Sequence, residues 1–257
     1  MYTTELAGIP LETDIELGAT TPAIESAARL EQADMIVLCS RGKTCLASWV
    51  LGSVARRLTR RSLIPILILN AHGRPSVFPT TPSWRITIPL DGSKLAESAL
   101  EPALQFAALL CSTTPWELHL VQAVALPRVT NSKWRHQQVE KAMLAAEDYL
   151  QTVIARLKQS LLASQHVLFT TSVLGATDIG SAIVQHVEHT QSLIEGEYAN
   201  LIAMTTHGRS GVQHVLLGSI AEKVLSTTKC PVLITRPITQ NGKDTSKHKE
   251  RSMPRLF

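Results

Sequence analysis

Aromatic side chains are scarce, at 4% of 257 residues, too few to furnish the stacking platforms that single-strand nucleic-acid binders use. Cysteine is scarcer still: Cys39, Cys45, Cys111 and Cys230 form no CxxC pair. That leaves no disulfide framework and no cysteine-rich zinc site, and the four read as reduced thiols in a cytoplasmic protein. Long apolar runs are also missing. The longest, 63–69, is interrupted by Pro65 and falls far short of the roughly 20 residues that span a bilayer. Residues 1–9 show no basic stretch followed by an apolar one, so no secretory signal is read there, and no membrane contact is expected. A net charge of +4 hints at nucleic acid, but in 238–257 Lys243, Lys247, Lys249, Arg251 and Arg255 stand against only Asp244 and Glu250. Most of the excess charge belongs to a basic tail expected to be disordered, and no specific nucleic-acid partner is expected. The remainder is ordinary, with 44% hydrophobic and 18% charged residues, and long enough for one large domain or two smaller ones.

The chain repeats itself. Gly42, Leu51, Gly52, Ser53, Ala55 and Pro65 recur as Gly208, Leu217, Gly218, Ser219, Ala221 and Pro231 at a constant offset of 166. Upstream, Leu17-Gly18-Ala19-Thr20 recurs as Leu174-Gly175-Ala176-Thr177 at an offset of 157, which places a short insertion in the second copy within roughly 186–198. Ahead of its repeated part the second copy reads as a strand at 85–90, turn chemistry at Asp91-Gly92-Ser93, a helix over 95–110, a strand at 116–124 and a long amphipathic helix over 134–162. Strands are then expected at 167–173, 200–205 and 232–235, with helices at 179–188 and 219–227. Such alternation implies an α/β fold: an open parallel five-stranded sheet with helices on both faces.

The first copy holds counterparts of the last three strands only, at 11–17, 34–40 and 64–69. Residues 1–72 are therefore expected to form the back half of one domain and 85–237 a complete one. The linker, 73–84, contains His72-Gly73-Arg74-Pro75 at its start and Pro79-Thr80-Thr81-Pro82, a composition that suits it. A half-domain leaves an apolar sheet edge uncovered. Something is expected to cover it, and the edge of the missing strands is a place for homodimerisation.

In each copy an apolar strand ends in a small-residue loop spaced Gly, nine residues, Gly-Ser, and the Gly-Ser opens an amphipathic helix. Glycines admit close backbone approach, and a helix N-terminus brings unpaired N–H groups and partial positive charge, so the pattern suits phosphate. It also suits a purely structural turn. Walker A is excluded, since neither loop supplies GKS or GKT at the required spacing. His207 reads as a solvent-facing loop histidine and Asp178 as a helix N-cap. No GxSxG, HExxH or paired-His spacing occurs, so enzymatic turnover has no positive support beyond slow incidental ATP hydrolysis.

These residues together resemble the universal stress protein family. The strand end and loop Met204-Thr205-Thr206-His207-Gly208-Arg209-Ser210-Gly211, the opening Ile88-Pro89-Leu90-Asp91-Gly92-Ser93 and the closing Cys230-Pro231-Val232-Leu233-Ile234 carry the likeness, across about 85–237 as a whole domain and 8–72 as a partial one. The resemblance implies a stress-responsive regulatory or interaction module that binds an adenine nucleotide, ATP or a related one with Mg2+, in the second domain. It assigns Asp91 to the adenosine portion, Ala123 to adenine, and Gly208, Gly218 and Ser219 to the phosphates, with Met204, Thr205, Arg209 and Ile220 beside them. Since family members pack their last strands against each other, it further implies that 64–69 lies antiparallel to 232–235 across a pseudo-twofold axis within the chain, and it leaves room for an unknown protein partner. The family pattern departs at one place: its first glycine is Thr205 here and Cys39 in the first copy. A side chain there crowds the phosphates or supplies a hydroxyl, so the alternative is a protein of the same fold that acts only through protein–protein contacts.

Overall fold

The computed structural model describes residues 10–40, 51–70, 83–111, 114–127, 133–160, 166–189, 198–206 and 217–236. The expectations for His207, Gly208, Arg209, most of the linker and the basic tail lie outside the described residues. From the first copy come α1 (Thr20–Leu30), β1 (Ile36–Cys39), α2 (Ser53–Arg61) and β2 (Ile66–Leu69). The second copy supplies β3 (Ser83–Leu90), α3 (Lys94–Glu97), α4 (Leu100–Leu110), β4 (Trp116–Ala125), α5 (Lys133–Ser160), β5 (Val167–Ala176), α6 (Ile179–His189), β6 (Tyr198–Thr205), α7 (Ser219–Thr227) and β7 (Val232–Thr235). All seven strands join one sheet in the order β1-β2-β7-β6-β3-β4-β5. Every pairing is parallel except β2 with β7.

Alternation along the strands divides the core in two. One face carries Ile86, Ile88, Leu118, Leu120, Leu201 and Leu233, covered by α4 through Leu100, Ala103 and Ala107 and by α5 through Leu150, Val153, Ile154 and Leu157. The opposite face carries Ile66, Ile68, Ile202, Met204, Val232 and Ile234, covered by α2, α6 and α7. This second core draws on both copies. The single helix expected at 95–110 is broken at Ser98 and Ala99, because Pro102 has no N–H for the Ser98 carbonyl and its ring clashes with that carbonyl.

The strand expected at 11–17 does not form: these residues run without regular structure, with Leu11, Ile15 and Leu17 exposed at 67%, 90% and 95%. Its counterpart, β5, is held by β4 alone. Among the described residues the first copy has no counterpart of β4, so a strand at 11–17 has no ladder to join, and Ile15 N–H donates instead to Asp14 Oδ1 at 2.7 Å. Ser83 and Trp84, assigned to the linker from composition, begin β3.

The two copies meet about a local twofold axis. Leu67 pairs with Leu233, with Ile66 against Ile234 and Ile68 against Val232, so residues 166 apart face each other at the centre. The same relation recurs on the helices, where Arg56 of α2 bridges Glu222 of α7 at 2.7 Å. Loop hydrogen bonds are duplicated too: Gly52 N–H donates to the Ser40 carbonyl and Gly218 N–H to the Thr206 carbonyl, each at 2.8 Å. Asn70 Nδ2 ties the end of the first copy to the carbonyls of Thr228 and Cys230 at 2.7 and 3.0 Å.

A polar network interrupts the second core beneath α6. Thr170 Oγ1 donates to Glu117 Oε1 at 2.5 Å, which leaves the Thr170 oxygen to accept from His119 Nδ1 at 2.6 Å. His119 is then neutral with its Nε2 lone pair outward, and it accepts from His186 Nε2 at 2.8 Å. Arg85 Nε lies 3.4 Å from Glu117, both side chains buried. The chain of bonds thus runs from α6 across β5 and β4 to β3.

Two measurements test this account. Leu233→Ala, at the fully buried centre of the seam, is expected to cost about 2–5 kcal/mol of unfolding free energy. Arg56→Ala, at a bridge with about 40% exposure, is expected to cost only about 0.2–1 kcal/mol. Equal losses in denaturant titrations would show that the ion pair, and not the apolar seam, joins the copies. The second concerns pH. Burial first, then the Arg85 guanidinium and His186, push His119 down from 6.5 to about 3, so the unfolded chain binds this proton more readily than the folded one. The resulting stability is present above about pH 6.5 and lost as pH falls. Between pH 6.5 and 5 the loss from His119 should be about 1–2 kcal/mol, and His119→Gln should remove that part of the slope in paired titrations at the two pH values. An unchanged slope would mean that His119 does not titrate as this environment dictates.

Candidate functional site

The chain leaves β3 toward β4 and β5 on one side and returns to β6 on the other. That reversal makes the carboxyl ends of β3 and β6 a topological switch point, where open α/β sheets form their ligand crevices. The register shows the opening. Pairing of β3 with β4 continues to Leu90 and Gln122, whereas pairing of β3 with β6 stops at Thr87 and Ile202. Beyond Thr87 the β3–β6 ladder ends while each strand continues, β3 to Leu90 and β6 to Thr205.

Asp91 follows β3 directly, one step above the Leu90–Gln122 pair and so level with Ala123 of β4. Gly92, at φ 84°, turns the chain in the left-handed region that favours glycine. Asp91 Oδ1 accepts from Ser93 N–H at 2.9 Å and Ser93 Oγ at 2.6 Å, and Ser93 Oγ in turn caps α3 by accepting from Ala96 N–H at 3.2 Å. The carboxylate is thereby held in place and half-buried at the rim. Glu97 of α3 accepts from Tyr149 at 2.9 Å and from Arg156 at 2.6 Å on α5, which fastens α3 to the long helix. Burial, and then the hydrogen bond to Glu97, raise the Tyr149 phenol above its ordinary value.

On the other side of the gap, Met204 and Thr205 end β6 with each side chain about 6% exposed. Thr206 N–H donates to the Thr235 carbonyl at 3.0 Å, while its own carbonyl takes Gly218 N–H. This pair of bonds sets the start of α7. Gly218 is the N-cap, at φ −60° and ψ 145°, and makes no side-chain cap. The first turn of α7 therefore opens at the rim with Ser219 and Ile220 exposed. Ala123 packs against the core shared by α6 and α7.

Thus the registers gather Asp91, Ala123, Met204, Thr205, Gly218, Ser219 and Ile220 at one rim of the parallel strands, while Gly208 and Arg209 lie outside the described residues. Asp178 caps α6 as expected, its Oδ1 accepting from Ser181 N–H at 3.1 Å; this lowers its carboxyl below the usual range. Among the described residues no group of three or more His, Cys, Asp or Glu side chains is placed to hold a metal ion, and no helix is long and apolar enough to cross a membrane. Sequence reasoning missed the buried Arg85–Glu117–His119–His186 network. A signal was there: in the run Trp116-Glu117-Leu118-His119-Leu120 the polar residues alternate with apolar ones, so Glu117 and His119 share a face of a central strand.

Comparison with known proteins agrees with this architecture. The solved structure of a universal stress protein from Archaeoglobus fulgidus DSM 4304 aligns with a TM-score of 0.51 and 20% identity, over 84% of this chain and 66% of that one. Protein PA1789 from Pseudomonas aeruginosa PAO1 aligns with a TM-score of 0.54 and 17% identity, over 86% and 69%. In sequence, Universal stress protein Rv2005c of Mycobacterium tuberculosis strain H37Rv is 26% identical over 226 residues, which are 88% of this chain and 70% of that protein. The Universal stress protein family model matches residues 2–70 and 84–236. With both copies matched, the chain belongs to the universal stress protein family.

Proposed function

We propose that the chain binds one adenine nucleotide, ATP or a related one, at the rim of β3, β4 and β6, and acts as a stress-responsive regulatory module whose output is conformation or choice of protein partner. The observation that carries this reading is the end of β3–β6 pairing at Thr87 beside a helix start that lacks a side-chain cap. In this reading the Asp91 carboxylate accepts from ribose hydroxyls or the adenine amine. Ala123 leaves room for the base, Met204 and Ile220 flank it with apolar atoms, and Thr205 offers a hydroxyl. The first turn of α7, from Gly218 and Ser219, meets the phosphates with N–H groups and its dipole, joined by Gly208 and Arg209 as the family likeness implies. Mg2+ would ride on the phosphates, since the described residues form no metal cluster of their own.

Residues 85–237 are the complete unit in this reading and 1–72 a partial one. The partial unit repeats the helix start at Gly52 and Ser53 but has no counterpart of β3 or β4, hence none of Asp91 or Ala123. A cytoplasmic setting suits Cys39, Cys111 and Cys230, all free thiols. One observation favours the reading in which the fold acts through protein contacts alone: Thr205 is buried where the family pattern has glycine.

Titration calorimetry with Mg2+ and ATP decides between them. One site per chain is expected, weakened about tenfold or more by Asp91→Ala, a loss of roughly 1.4 kcal/mol. Gly218→Val should also weaken it, because a β-branched side chain stands where the backbone approaches the anion, while its extended dihedrals let valine fold there. Adenine absorbance released on denaturing the purified protein would agree. Two equivalent sites would overturn the placement, and no heat with any adenine nucleotide would leave the contact-only reading.

A further inference from the structure

We propose that, on the reading in which an adenine nucleotide fills the rim of β3, β4 and β6, Arg60 and Arg61 of α2 and Arg236 beyond β7 hold its terminal phosphates. The first copy, which has no counterpart of β3 or β4 among the described residues, then completes the site of the second. Chain direction puts these residues there. α2 starts at Gly52, whose N–H donates to the Ser40 carbonyl just past β1, and it runs back toward the amino end of β2. Because β2 is antiparallel to β7, the last turn of α2 arrives at the carboxyl end of β7. There Arg236 Nη1 donates to the Arg61 carbonyl at 3.3 Å.

The same end of β7 seats the start of α7. Thr206 N–H donates to the Thr235 carbonyl and Gly218 N–H to the Thr206 carbonyl, so two backbone bonds link the strand end that carries Arg236 to the helix start. Val232 and Ile234 belong to the core under α2, α6 and α7, while Leu233 belongs to the opposite one. Alternation continues the first of these faces to Arg236. On the helices, Arg56 and Glu222 are equivalent residues that meet across the local twofold. One turn onward along α2, and one turn back along the oppositely directed α7, Arg60 stands level with Gly218.

The repeat supplies the comparison. At the offset of 166 the counterparts of Arg60, Arg61 and Arg236 are Ser226, Thr227 and Asn70. The twofold that brings three arginines to the rim with Asp91 and Ala123 therefore brings three neutral side chains to the rim that has neither. Helix dipoles alone do not explain the difference, since a basic last turn suits any helix and α7 has none. Among the described residues no carboxylate pairs with Arg60, Arg61 or Arg236, and Arg60 Nε is buried with no hydrogen-bond partner. Glu222, the acidic residue in the first turn of α7, is paired with Arg56, which offsets its repulsion of an anion. A guanidinium offers five N–H donors in a fork that fits phosphate oxygens, and Arg236 uses one of them on Arg61.

Titration calorimetry of the full chain with ATP and with AMP, both with Mg2+, tests this. The wild-type chain is expected to bind ATP about tenfold or more tighter than AMP, whose single phosphate meets only the start of α7. Arg60→Gln with Arg61→Gln, and separately Arg236→Gln, should each raise the dissociation constant for ATP about tenfold and leave that for AMP unchanged, with an unchanged melting temperature. Lys229→Gln, which removes a positive charge ahead of the amino end of β7, should change neither. Equal weakening of ATP and AMP by the arginine variants, or an ATP affinity that neither variant alters, overturns the role of the arginines and leaves the nucleotide reading standing. No heat with either nucleotide in the wild-type chain overturns that reading and the arginine clamp with it.

Discussion

The antiparallel pairing of β2 with β7 is the contact on which the rest of the molecule depends. Without it the first copy is a two-stranded sheet with two helices, below the size at which a sheet stands alone in water. With it, Ile66 and Ile68 enter the same core as Val232 and Ile234, and one sheet of seven strands replaces a two-stranded and a five-stranded one. The pairing also fixes polarity. Because β2 opposes β7, the carboxyl ends of β1 and β2 point away from those of β3 to β7, and the helix starts at Gly52 and Gly218 lie at opposite rims.

Within the second copy, rigidity and opening are separated by height along the strands. The Arg85–Glu117 pair and the His119–Thr170 pair lie at or below the level of Thr87, where β3 still pairs with both neighbours. Buried ion pairs add little net stability, but breaking one partner is costly. Their effect here is to hold β3, β4 and β5 in one register and to pin α6 through His186. Above that level the β3–β6 ladder ends. The proposed crevice is thus bounded by a polar floor held in register and by a helix start whose position two backbone bonds determine.

Much of this was legible from residue patterns. Helix α7 and strand β7 fall at the residues expected from periodicity, and the pairing of 64–69 with 232–235 followed from the packing of last strands that the family resemblance implies. The misses have physical causes. Residues 11–17 match a strand pattern, but a strand is a property of its neighbours as well as of its sequence, and the neighbour is missing. Pro102 broke the helix expected at 95–110 although its apolar spacing continues. At the rim, Asp91 was identified both as a turn residue and as a ligand for adenosine. Its two bonds to Ser93 at Oδ1 fulfil the first role; the second belongs to the proposed nucleotide reading. The His119–His186 bond was out of reach, because it joins residues 67 apart whose approach depends on how α6 crosses the sheet.

The copies also show why repeated sequence does not repeat structure. Ile36, Val37, Leu38 and Cys39 correspond one for one with Ile202, Ala203, Met204 and Thr205, and both strands bond the following residue to the strand on their inner side. What differs is the other side. There β6 meets β3, and its outer residues are buried by α4 and α5, so a small alanine suffices at 203. At 37 the same position faces solvent, and its larger valine is apolar surface that no described helix of its own copy covers. Both copies therefore keep the ladder and the helix start. The proposed crevice belongs only to the copy with β3 and β4, since a site built between strands exists only where both strands are present.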